Sequence, residues 1–210
     1  MANVAYLSPG RREQSKLANR RAILDAAREV FGEIGFEAAT VRDIIRRTTL
    51  SVGAFYNYYR SKEEVYDALA DDGARRFKPI LQEVSAQATD FESYVRAGVR
   101  AYFDFLAGEH AAWLMGAPPG EALPSNRHTP EMTAVFEEVR RVFAGVMERG
   151  LAPKVDLDFL AASCIALARE VGDVMISRQP MDVEGATTFV VNLILGGLPA
   201  LPPWEPPGRA

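Results

Sequence analysis

Between Gly35 and Ser61 the chain sets a helix-ending or helix-starting residue about every ten positions, so no helix there can exceed roughly three turns. Upstream, Ile23, Ala26, Ala27, Val30, Phe31 and Ile34 recur at helical period, which predicts a helix over Asn19–Ile34. Gly35 then stands where a left-handed C-cap is least costly. Thr40 opens a second helix, with Asp43 three residues on as the partner of a capping box and Val41, Ile44 and Ile45 as its apolar face. Thr48–Leu50 reads as a turn, and Ser51 as the N-cap of a third helix ending near Tyr58. Ser61-Lys62-Glu63-Glu64 is a fuller capping box, and it starts a fourth helix through Val65, Ala68 and Leu69. Two short helices wedged behind a longer one predict a helix-turn-helix over residues 40–59.

Charge distribution agrees with a surface that meets an anion. The net charge is −4 over 210 residues, yet Arg11 to Lys62 holds eleven Lys/Arg against six Asp/Glu. That segment carries +5 and the rest of the chain −9. A basic first third on an acidic body suits a nucleic-acid-facing module joined to a body that stays clear of it. A solvated surface with uneven charge is the plainer alternative.

The third helix has unusual chemistry. Gly53 lies in its first turn, where glycine is disfavoured by roughly 1 kcal/mol relative to alanine. Its missing side chain lets another surface approach the backbone. Phe55, Tyr56, Tyr58 and Tyr59 follow within five residues. Phe55 and Tyr59, at i and i+4, share a face suited to packing on Ile44 and Phe31. Tyr56 points about 100° away and can offer its hydroxyl to phosphate or a base edge, Tyr58 suits either role, and Lys62 is placed to meet a phosphate. Arg46 and Arg47 are either solvated or near a nucleic-acid backbone. The Arg11, Arg12, Lys16, Arg20, Arg21 series reads as a flexible arm over residues 1–16 and beyond, adding nonspecific attraction, or as disorder.

The stretch AILDAAREVFGEIGFEAATVRDIIRRTTLSVGAFYNYYRSKEEVYDAL resembles the DNA-binding domain of the TetR family of transcriptional regulators. The matching positions are Ala26-Ala27, Phe31, Gly35, Thr40, Ile44, Ser51, Gly53, Phe55-Tyr56, Tyr58-Tyr59 and Ser61-Lys62-Glu63. The resemblance implies that Thr40 and Arg42 touch phosphate or a base edge. It also implies that Ser51, Val52, Gly53, Tyr56, Asn57 and Tyr58 face DNA and that Lys62 holds phosphate. The family usually has an alanine-glycine pair in the turn, where this chain has Thr48-Thr49. Val52 offers only apolar contact, such as with a thymine methyl.

The remainder also has helical period and no useful strand pattern. The fold class expected is all-α: an N-terminal three-helix DNA-binding domain (17–64), a C-terminal helical effector-binding and dimerisation domain (65–198), and a proline-rich tail (199–210). Stripes run through Phe91–Leu106 and Met132–Met147, with a proline-rich loop at Pro118–Pro130 and two apolar helices at Asp156–Ser177 and Asp182–Leu195. By the resemblance, the last two helices form a homodimer interface, here with Ala161, Cys164, Ala168, Gly172, Phe189, Val190 and Leu193. A dimer would set two recognition helices about 34–36 Å apart on a palindromic operator in double-stranded DNA. The middle helices would enclose a small, largely apolar effector through Tyr102, Phe103, Leu106, Trp113, Met115, Phe136, Val139, Arg140 and Phe143, unless these are simply bundle core. A repressor released by its effector is the function implied. A helical scaffold on the same fold that no longer binds DNA is the other reading.

Other classes have little support. His110 and His128 are the only histidines, and Glu109-His110 has no further ligand at helical spacing, so no metal, cofactor or catalytic residue is expected. The single cysteine, Cys164, lies among Leu160, Ala161, Ile165 and Ala168 and reads as a buried inert thiol in a reducing, cytoplasmic setting. Met1–Gly10 lacks the pattern of a secretion signal, and no run reaches about 18 uninterrupted apolar residues, so no membrane partner is expected.

Overall fold

The computed structural model describes residues 11–113, 130–150 and 152–201, with side chains for 11–109, 132–150 and 152–201. Eight α-helices and one 3-10 helix occur among the described residues: α1 (Arg11–Ile34), α2 (Val41–Arg46), α3 (Val52–Phe55), α4 (Lys62–Gln87), α5 (Phe91–Trp113), α6 (Pro130–Glu148), α7 (Leu157–Ile176), α8 (Val183–Gly197) and the 3-10 turn Leu198–Ala200. No strand occurs among them.

The chain divides into two units. The first runs through Leu69; the second holds Ala70–Ala112 and the described residues from Pro130 onward. The first unit has its own core: Ile23, Ala27, Val30 and Phe31 of α1 meet Ile44, Phe55, Tyr59, Val65 and Leu69. Gly35, at φ 79°, ends α1 and donates its N–H to Phe31 O at 3.0 Å, a conformation that favours glycine. At Thr40 both arms of the capping box form: Asp43 N–H donates to Thr40 Oγ1 at 3.3 Å, and Thr40 N–H donates to Asp43 Oδ2 at 3.0 Å. The predicted segments of the second and third helices shorten to six and four residues, because Arg47 and Tyr56–Tyr58 are turns.

The second unit is built on aromatic and aliphatic stripes. Phe103 and Val191 are fully buried, and Phe143 packs its ring on Phe91 at 5.3 Å and on Tyr94 at 5.8 Å. Each such side chain contributes roughly 1.5–3 kcal/mol by burial. Asp156 and Asp182 cap α7 and α8 through their carboxylates.

Four boundaries differ from the sequence reading. The basic residues from Arg11 to Lys16, expected in an arm, belong to α1, since nothing in Arg11–Ile34 breaks a helix. The fourth helix continues past Leu69 to Gln87 with Pro79 inside it, so the units part at Leu69/Ala70 rather than at 64/65. Leu198–Ala200 is a 3-10 turn with Leu198 buried, which moves the start of the expected tail beyond Leu201. Val183–Ala200 is long and apolar enough to cross a membrane by length and composition alone. Thr187, Val190, Val191 and Ile194 on its inner face are nevertheless buried within the second unit.

A candidate DNA interface on the first unit

Short caps decide which side chains of α2 and α3 remain available. The Ser51 hydroxyl accepts from Ala54 N–H at 3.1 Å and so starts α3. The Thr48 hydroxyl donates to Ile45 O at 3.0 Å and accepts from Leu50 N–H at 3.1 Å. This explains how the Thr48-Thr49 turn closes without glycine: side-chain bonds do the work of a left-handed residue, and no non-glycine residue described has positive φ. Arg47 reaches back to α1, donating to Glu29 at 3.2 Å and to Glu33. Arg46 lies 3.5 Å from Asp43.

The exposed set on this end is Thr40, Arg42, Ser51, Val52, Gly53, Tyr56 and Asn57. Tyr56 is 57% exposed although its ring meets Phe55 edge-on at 5.4 Å. The Arg42 guanidinium makes no hydrogen bond or ion pair among the described residues. At Gly53 an added Cβ would meet nothing within 4 Å but Ser51 Oγ at 3.9 Å. No packing inside the protein, and no positive φ, requires glycine there. The open backbone is suited to close approach by another molecule.

Two residues of the expected DNA set are drawn inward. Asn19 Nδ2 donates to the half-buried Tyr58 hydroxyl at 3.0 Å, and Arg20 Nε donates to the Tyr59 hydroxyl at 3.0 Å with its guanidinium over the Tyr59 ring. Lys62 Nζ donates to Phe36 O at 2.7 Å and Glu37 O at 3.0 Å and sits 4.6 Å from the centroid of the Phe36 ring. Two of its three N–H donors therefore hold the α1–α2 connection. The sequence reading of Lys62 as a phosphate anchor overlooked carbonyls 25 and 26 residues away. Asn19, Arg20, Glu29 and Glu33 were missed as supports for the same reason: their partners are distant in sequence.

In the second unit the expected effector residues share one packed cluster. Phe103, Val139 and Phe143 are buried; Tyr102, Leu106 and Phe136 are half-buried, and Tyr102 meets the Phe77 ring at 5.3 Å. Arg140 is a surface residue paired with Asp158 at 2.6 Å. Met115 and the Trp113 side chain lie outside the described residues.

The expected dimer set also divides. Ala161 and Val190 are fully buried in the protomer's own core, and Gly172 faces α5, where an added Cβ would come within 2.5 Å of Leu106 Cδ1 and 3.4 Å of Phe103 Cε1. Small size at Gly172 serves packing inside the unit rather than contact with a partner. Cys164 and Ala168 are partly buried, and burial pushes the Cys164 thiol up to about 12. Phe189 and Leu193 are 60% and 51% exposed, joined on the surface by Phe159 at 76% and Val174 at 48%, two residues absent from the sequence-based set. No cluster of three or more His, Cys, Asp or Glu able to hold a metal occurs among the described residues. The side chains of His110 and His128 lie outside them.

Comparison with known proteins bears on the first unit most directly. Residues 23–69 match the family model for bacterial regulatory proteins of the tetR family. The chain is 26% identical over 204 residues to the HTH-type transcriptional regulator BetI of Cronobacter sakazakii, covering 89% of this chain and 94% of that one. It is 26% identical over 136 residues to the HTH-type transcriptional repressor KstR2 of Rhodococcus jostii, covering 65% and 67%. Among solved structures, the fatty acid degradation regulator FadR of Bacillus halodurans superposes with a TM-score of 0.69 at 24% identity, covering 85% of this chain and 95% of that one.

Proposed function

Because the chain belongs to the TetR family of bacterial regulatory proteins, we propose that it is a cytoplasmic transcriptional repressor that binds a palindromic operator as a homodimer and leaves it when a small effector binds. The observation that carries the reading is the set of exposed polar and apolar groups around Gly53, with Tyr56 and Arg42 beside an open backbone. Phosphate contacts from Arg42, Thr40 and Tyr56 would fix register, while Val52, Gly53 and Asn57 would meet base edges. Tyr58 and Lys62 support this surface from behind.

The homodimer would form through the apolar surface of α7 and α8 centred on Phe159, Val174, Phe189 and Leu193. Large apolar groups so exposed on two neighbouring helices suit an isologous contact. The effector would be largely apolar and would displace or spread Tyr102, Leu106 and Phe136, which are less fully buried than Phe103. One of the similar solved structures is described as a fatty acid degradation regulator, which makes an acyl compound a reasonable first ligand to try.

The test is selection of bound fragments from genomic DNA at low salt, followed by footprinting. A protected inverted repeat with half-sites about one helical turn apart supports the reading. Failure to retain any fragment sequence-specifically defeats it, and favours a helical scaffold instead.

A further inference from the structure

The residues from Arg11 to Ala18, the first two turns of α1, are all exposed, and the buried side chains of this helix begin only at Ile23. An unpacked extension of two turns is marginal in water. Two arginines open it, at the positive end of the helix dipole, where cations are disfavoured; Glu13 is the acid of that turn. The charged groups of Arg12 and Lys16 make no ion pair or hydrogen bond among the described residues. Packing within the first unit therefore gives this basic extension no support, and its charges oppose it.

The direction of these cations is set by the residues that follow. Asn19 Nδ2 donates to the Tyr58 hydroxyl and Arg20 Nε to the Tyr59 hydroxyl, each at 3.0 Å. The sector of α1 between Asn19 and Arg20 thus abuts the chain just after α3, beside the exposed Tyr56 and Asn57. Successive helix residues are about 100° apart, which puts Arg12 about 20° from Asn19 and Lys16 about 40° from Arg20, both inside that sector. Glu13 falls about 20° outside it, whereas Arg11 and Arg21 fall about 80° and 100° outside. At 1.5 Å per residue, Lys16 and Arg12 stand about 6 and 12 Å beyond Arg20 along the helix axis. The row Arg12–Lys16 therefore prolongs the candidate DNA interface beyond the two short helices.

We propose that Arg12 and Lys16 form a second contact with the DNA backbone, holding phosphates next to those met by Thr40, Arg42 and Tyr56. Charge complementarity and continuity with the adjoining surface select this occupant. Phosphate carries no sequence information, so the row adds affinity and salt dependence rather than base preference. A polyanion lying along it also offsets the unfavourable dipole at the start of α1 and holds those two turns helical. Unlike the attraction of a flexible basic arm, the contact is directional: it belongs to one face of an ordered helix. The proposal rests on the first unit being a DNA-binding module, but not on a repressor role or on any operator.

Two pair variants of the full chain test it: Arg12→Ala with Lys16→Ala, and Arg11→Ala with Arg21→Ala. Each removes two exposed cations from α1, so any diffuse attraction falls equally in both. Fluorescence anisotropy follows binding to the selected operator duplex and to a random-sequence duplex of equal length, from about 50 to 200 mM sodium chloride. Circular dichroism checks that both variants fold, as exposed positions allow. Loss of Arg12 and Lys16 should weaken binding to both duplexes roughly tenfold or more and flatten the salt slope by about 2 per protomer. Loss of Arg11 and Arg21 should weaken it by less than about twofold, since charges facing away are screened. Equal losses from the two pairs overturn the proposal, because diffuse charge then suffices. So does an Arg12 and Lys16 variant whose slope matches the parent's. If no operator can be selected but the Arg12 and Lys16 pair still governs binding to the random duplex, the repressor reading fails and the second contact stands. A parent chain that holds no DNA even at the lowest salt defeats both.

Discussion

In the first unit, helices of six and four residues are closed by hydroxyl and carboxylate caps and tied to α1 by Arg20, Arg47 and the Tyr58–Asn19 bond. In the second, helices of 15 to 23 residues pack through rings and aliphatic chains, and α7 and α8 leave four large apolar groups outside among charged neighbours. The first unit thus presents polar and cationic groups at its exposed end, while the second presents Phe159, Val174, Phe189 and Leu193. A short helix cannot be held by its own ladder and needs specific polar contacts, which place side chains one by one. A long helix is held by a stripe, and whatever extends beyond the stripe needs another surface.

The contrast can be broken most severely on the apolar side. Placing a charge on the second unit's exposed face, as in Phe189→Asp with Leu193→Asp, should weaken self-association at least a hundredfold, on the order of 3 kcal/mol or more, while helicity is unchanged. Sedimentation equilibrium at micromolar protein reads this directly; an unchanged association constant removes the face from the proposed interface. On the polar side, Tyr56→Ala and Arg42→Ala should each weaken operator binding by about tenfold, and Arg42→Ala should also lower the salt slope by about 1. Fluorescence anisotropy at several salt concentrations separates the two.

Lys62 sharpens the comparison, because it is a cation used as a brace. Lys62→Met should cost about 2 kcal/mol in urea unfolding, through loss of the bonds to Phe36 O and Glu37 O. Its operator affinity should fall less steeply with salt concentration only if the third N–H reaches phosphate; an unchanged slope confirms the brace. The smallest effect concerns Asp43. The Thr40 hydroxyl, donating to it, is the first cause that holds its carboxyl below the ordinary value of 3.8. A lowered carboxyl contributes stability above its ordinary range and loses it as pH falls through the folded-state value. Asp43→Asn should therefore lower the Tm at pH 7, and the difference from the parent should shrink below about pH 4. A gap that persists at pH 2.5 would show that the charge is not the cause.

Much of the first unit was legible because its signals are local. Thr40 with Asp43, Ser51 before Ala54, and Gly35 after Ile34 each act within three or four residues, and the helices begin and end where those pairs stand. The face carrying Phe55 and Tyr59 was legible for the same reason, by i, i+4 spacing. The bracing role of Lys62 was not legible, because a lysine following a serine cap looks the same whether or not its ammonium also meets two carbonyls 25 and 26 residues back. Ala161, Gly172 and Val190 were placed at an interface because small and apolar residues on a wholly apolar helix have no local mark of direction. Phe159 and Val174 went unnamed for the same reason.

From the sequence alone came the helical class, the capped short helices, the basic first third and the inert setting of Cys164, all consequences of neighbours within about one helical turn. Only the tertiary structure decided which face of α7 and α8 lies outside and that Tyr58 and Lys62 hold contacts behind the exposed surface. Those outcomes depend on contacts between residues tens of positions apart. Such contacts are set by how whole stripes pack, which no short window of residues encodes.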